Sequence, residues 1–148
     1  MSEKFPGIKK IKLVDGGHNE RHNGTCLMEA VAWFMGQKHT QRPCGVNNRL
    51  VSHCQQVNDI IGDRARQRLR YLIPEIAALA PKIPAKLFRD YEKMVYSFEL
   101  TEIQRVNALK RLVWRIQEHQ LAEALIALSK EKPEDLIATE ATCDPQAV

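Results

Sequence analysis

The residues best suited to chemistry gather in the first third of the chain. The run Gly24-Thr25-Cys26-Leu27-Met28-Glu29-Ala30-Val31-Ala32-Trp33 places a cysteine where a helix should begin and a glutamate one turn later. On a helix, residues three and four apart are neighbours, so Cys26, Glu29 and Trp33 share one side. His18 and His22 lie just upstream, and His39, Cys44, His53 and Cys54 follow. Two chemistries fit these residue types. A thiol at a helix N-terminus can be held as a thiolate by the helix dipole, which makes Cys26 a candidate nucleophile. Its base would be His18, His22, His39 or His53, with Glu29 orienting that base. Alternatively, His18, Cys26, Cys44 and either His53 or Cys54 could supply the four borderline-soft ligands of a tetrahedral zinc site. Against zinc stands the spacing, since no two ligands form a CxxC-type pair. The plain alternative is that Cys26 and Cys54 are small buried apolar residues and the histidines are surface polar groups.

Several motifs are missing and narrow the field. There is no HExxH, no H-x-E paired with P-C-x-x-C, no GxxxxGK[ST], no GxGxxG and no GxSxG. Zincin, deaminase, phosphate-loop and nucleophile-elbow chemistry therefore have no local signature here. Whether the protein is an enzyme stays open, with the balance towards a binding role and no cofactor other than a candidate zinc.

A second feature is electrostatic. Arg64, Arg66, Arg68 and Arg70 fall within seven residues, with Tyr71 beside them. On one helix they would make a broad positive face able to grip phosphates, and Lys9, Lys10, Lys12, Lys110, Arg111 and Arg115 could extend it. The chain carries a formal charge of +4, unevenly spread. Residues 1–115 hold 20 Lys and Arg against 11 Asp and Glu, whereas residues 116–148 hold 2 against 7. A basic body with an acidic end points to an anionic partner, or to self-screening of the basic face. Nucleic acid or a protein that handles it is the expected partner.

These groups need elements to hold them. Periodicity predicts helices over 25–37 (capped by Thr25), 47–61, 64–73, 84–98 and from 101 onward, with a short turn over 75–79. Leu50, Cys54, Val57 and Ile61 form one stripe, and Leu87, Phe88, Tyr91, Val95 and Phe98 another. Thr101-Glu102-Ile103-Gln104 reads as a capping box opening a long helix with Ile103, Val106, Leu109, Val113 and Ile116 inward on one side. Leu121, Leu125 and Leu128 continue it, after a break or without one. If that helix exposes its apolar side, the protein is an oligomerising scaffold or inhibitor. Ile8, Ile11 and Leu13 suggest one short N-terminal strand at most. The expectation is an all-α bundle of five or six helices in a single domain over 1–131, comprising a Cys/His segment (18–74) and a C-terminal helical segment (84–131), then a disordered acidic tail over 132–148. At 148 residues the chain can bury a core without staples. It has no apolar run fit for a membrane span or a signal peptide, so a cytoplasmic setting is the default expectation.

At His18-Asn19, Gly24-x-Cys26-x-Met28-Glu29-Ala30-Val31-Ala32, Pro43-Cys44, Asn58-Asp59, Arg66-Gln67-Arg68-Leu69 and Leu72-Ile73-Pro74, the chain resembles a family of small bacterial and phage proteins with no known activity. The resemblance covers about residues 18–74. It implies a bacterial or phage-infected cytoplasm and an accessory role, and it implies no mechanism.

Overall fold

A computed structural model describes residues 4–18, 21 and 24–130. The expected acidic tail, His22 and Cys143 lie outside these. The described residues form the all-α bundle expected from periodicity. Its helices are α1 (Leu27–Phe34), α2 (Asn48–Ile60), α3 (Asp63–Arg66), α4 (Ile73–Ala77), α5 (Ala85–Ser97) and α6 (Glu102–Lys130), with a 3-10 segment, Gln67–Leu72, between α3 and α4. No strand forms among the described residues. The N-terminal arm makes only an isolated bridge between Leu13 and Thr25.

The core is organised around α1. Leu27, Met28, Glu29, Ala30, Val31 and Ala32 are all buried, and a helix apolar but for one glutamate belongs in the centre. It packs on α4 and α2, while α6 closes the bundle against α5, α2 and the 3-10 segment. Phe88, Leu50, Leu69, Leu72, Ile76, Leu109 and Ile116 complete the interior.

Helix α1 is shorter than its periodicity suggests, and both limits have local causes. Thr25 is not the cap: its backbone carbonyl accepts from Val14 N–H at 3.0 Å as part of the arm bridge. Cys26 takes the cap position instead. At the other end Gly36 adopts φ +74°. Gly36 N–H then donates to the Trp33 carbonyl and Gln37 N–H to that of Ala32, a Schellman stop.

Helix α2 follows expectation closely. The Asn47 side chain accepts from Arg49 and Leu50 N–H at 2.9 and 3.1 Å. The helix predicted over 64–73 is instead broken into α3, the 3-10 segment and α4, which continues through Pro74 near its first turn. The cause is long-range. The Gln67 amide brackets Leu13, accepting from its N–H at 2.9 Å and donating to its carbonyl at 2.7 Å. Arg70 holds the Lys9 and Ile11 carbonyls at 3.2 and 3.3 Å. Tightening the segment to three residues per turn keeps both side chains on the arm.

Thr101 and Gln104 form the expected capping box, with reciprocal bonds of 2.9 and 3.2 Å. Helix α6 then runs unbroken to Lys130. Its last hydrogen bonds to the body, among the described residues, are those of Gln120, which donates to the Ala80 carbonyl and accepts from Ala80 N–H. Beyond it, residues 121–130 are all exposed. Phe98 and Ile103, both expected in the core, are 65% and 39% exposed where α5 ends and α6 begins. No described helix is long and apolar enough to cross a membrane.

Candidate functional site

The Cys26 side of α1 is faced by polar groups, as its residue types suggest, and Glu29 rather than Cys26 is their centre. Glu29 is fully buried. Its Oε1 accepts from the Cys26 backbone N–H at 2.9 Å and from His18 Nδ1 at 3.0 Å. Its Oε2 accepts from His18 N–H at 3.0 Å and lies 2.7 Å from His39 Nε2. His39 Nε2 is also 2.7 Å from the His18 carbonyl. Both neighbours are acceptors, so this nitrogen carries the proton, and Nδ1 is left buried without a partner. Burial raises the Glu29 pKa, but the hydrogen bonds from Cys26 and His18 outweigh it and hold the carboxyl below its ordinary value.

Cys26 and Glu29 thus make a capping box, with the thiol standing in for a hydroxyl on the Glu29 N–H. The surroundings of Cys26 weigh against a thiolate. Burial, reinforced by the adjacent Glu29 charge, pushes the Cys26 thiol up to about 12, against a smaller lowering from the helix-start N–H groups. The dipole is present, and desolvation beats it. Cys54 is likewise buried and pushed up to about 12. Gly24 makes room for the arrangement. A Cβ there would fall 2.7 Å from Val14 Cγ2 and 2.9 Å from His18 Nε2, and its φ of +124° suits glycine alone.

The zinc set does not assemble. Among the described residues no group of three or more His, Cys, Asp and Glu could hold a metal. His18 and Cys26 meet at Glu29. Cys44 sits in the following loop, where its N–H and carbonyl bind the Gln37 amide at 2.7 Å each. His53 belongs to a different cluster: its Nε2 lies 2.6 Å from Glu92 Oε2, and its ring packs edge-on to Tyr91. Arg49 joins Glu92 through both ends of its guanidinium. These hydrogen bonds bring the Glu92 pKa down to about 2. Nothing local in the sequence marks Glu92, which comes from α5, 39 residues beyond His53. His39, considered only as one of several bases, proves a principal partner of Glu29. Its signal was its place in the loop that follows α1.

The four arginines divide. Arg66 is buried, donating to the Asn58 carbonyl at 2.6 Å and to that of Ile61, and pairing with Asp63. It thereby satisfies the end of α2, which makes it a structural cap instead of a phosphate ligand. Arg70 is spent on the N-terminal arm. Arg64 and Arg68 remain exposed. Because Gln67 and Arg70 clasp the arm, exposed Lys9, Lys10 and Lys12 run beside the segment that carries Arg64 and Arg68. Tyr71, 53% exposed, adjoins them with the Arg70 guanidinium over its ring.

Comparison with protein-family models, curated proteins and solved structures yields no match to this chain.

Proposed function

We propose that this is a small, non-catalytic accessory or regulatory protein that binds the backbone of nucleic acid through the surface of Lys9, Lys10, Lys12, Arg64 and Arg68. The observation that carries the reading is the clasp of Gln67 and Arg70 on the arm. It brings five exposed cations from two distant stretches of chain together, with Asp63 beside Arg64 already paired to Arg66. Arginine and lysine clusters of this kind suit phosphate, and the exposed Tyr71 ring offers a stacking surface for an unpaired base. The raised pKa of the Cys26 thiol and the commitment of Glu29 to three hydrogen bonds and a 2.7 Å contact with His39 favour a structural role for the polar centre over a catalytic one.

Titration against duplex DNA, single-stranded DNA and RNA tests the reading. If all five cations engage phosphates of duplex DNA, affinity should fall by about 500-fold between about 50 and about 200 mM salt. The double substitution Arg64→Glu and Arg68→Glu should abolish binding at the higher salt while leaving the unfolding midpoint nearly unchanged. Salt-independent binding, or binding that survives the double substitution, would remove the proposal.

A further inference from the structure

The 3-10 segment sorts its six residues into three rows. With three residues per turn, side chains three apart stand one above the other. Leu69 and Leu72 form the row buried in the core. Gln67 and Arg70 form the row that holds the arm. Arg68 and Tyr71 form the third, and both are exposed. A guanidinium and an aromatic ring therefore stand side by side, roughly 6 Å apart along the segment. Arg64 precedes Arg68 by about one turn, and exposed Lys9, Lys10 and Lys12 lie along the clasped arm. The Tyr71 ring is also braced. The Arg70 guanidinium lies over it at 5.9 Å from its centroid. That guanidinium is itself fixed on the backbone carbonyls of Gln67, Lys9 and Ile11.

We infer that this surface takes an unpaired polynucleotide strand, with one base stacked on the Tyr71 ring and the adjoining phosphate on Arg68. The inference deepens the nucleic-acid reading and rests on it. Two features choose an unpaired strand over a duplex. The first is the pairing of groups in one row. A phosphate contact needs only a cation, which either form of nucleic acid would use. An exposed ring beside that cation adds something only where a base offers its face, and a duplex keeps base faces inside its stack. The second is the brace. A ring already held against a fixed guanidinium gives up little freedom when a base settles on it, so the stacking energy is not spent on ordering the side chain. Glu75 lies about one turn past Tyr71 and is half-buried, which sets the phosphate on the Arg68 side of the ring.

Affinities of the full chain for oligothymidine, oligouridine and a duplex of equal length, about 12 nucleotides, test the inference. Tyr71→Ala should weaken binding to the single strands by about tenfold and leave duplex binding nearly unchanged. The salt slope on single strands should stay as it is, because stacking displaces no counterions. Tyr71→Phe, which keeps the ring face, should bind as wild type does. A loss confined to the deoxyribose or the ribose strand would name that strand as the ligand, and an equal loss would show that only base and phosphate are read. Irradiation of the wild-type complex with a bromouracil-bearing strand should cross-link the base to Tyr71, as located by mass spectrometry. This readout needs no substitution, so it holds even if Tyr71→Ala loosens the segment. Undiminished binding of Tyr71→Ala to both single strands, an equal loss on the duplex, or cross-links formed only elsewhere would overturn the inference and leave the cationic surface in place. Absence of salt-dependent binding to all three ligands would instead remove the underlying reading, and this inference with it.

Discussion

The carboxylate of Glu29 decides how the first third of the chain is held. It is the common acceptor for the start of α1, the His18 loop and the His39 ring. Glu29→Ala leaves these donors buried and unpaired, and should cost at least about 3 kcal/mol in denaturant unfolding. Glu29→Gln keeps the shape but loses the charge and presents an amide N–H to donors, so it should destabilise too. Its cost should depend on pH. The Glu29 pKa is lower folded than unfolded, so its contribution is complete above the ordinary carboxyl value of 4.5 and is lost as pH falls through the folded value. The gap between wild type and Glu29→Gln should therefore narrow in acid. Cys26 makes a complementary prediction. Its thiol should resist iodoacetamide at pH 8 until the protein unfolds, and mass spectrometry of the modified peptide reads this directly. Cys26→Ser should cost no more than about 1 kcal/mol, because serine makes a better cap and loses only apolar burial. Rapid labelling of native Cys26 would mean that the burial described here does not hold in solution.

Elements read differently from residues. Arg64 and Arg66 are two positions apart and indistinguishable in sequence, yet one faces solvent and the other caps α2. Arg66→Ala should destabilise by about 2–3 kcal/mol, the cost of losing charge-assisted bonds to two carbonyls. Arg64→Ala should stay within about 0.5 kcal/mol. Equal effects in thermal unfolding would contradict that division. The same contrast explains what the sequence made legible. Helix α2, with Asn47 before a clean apolar stripe, and the Thr101–Gln104 box were readable because their determinants lie within one or two turns. The 3-10 tightening of residues 67–72 was not, because its cause is Leu13, 54 residues away. The Cys26–Glu29 pair was visible as a constellation, but its meaning turned on desolvation, which periodicity does not measure. Glu92 was missed for the same reason as the 3-10 segment: only the fold brings α5 to His53.

At the scale of the whole molecule, the salt slope counts the phosphates that the cationic surface engages, and five cations should give a slope of about −4.5 on duplex DNA. The clasp on the arm has one more consequence, and it concerns time. The contacts of Glu29 with His18 close over 11 residues, but those of Gln67 with Leu13 close over 54. The contacts that close the bundle span similar lengths, as between Arg49 and Glu92 over 43 residues, so the arm should dock together with the bundle. Because Leu13 and Ile11 are themselves buried in the core, the lysines should part from the arginines only in an opening that also uncovers those two side chains. Hydrogen exchange at the Leu13 amide would report the rate of that opening, and a bound polyanion, by bridging the two stretches, should slow it.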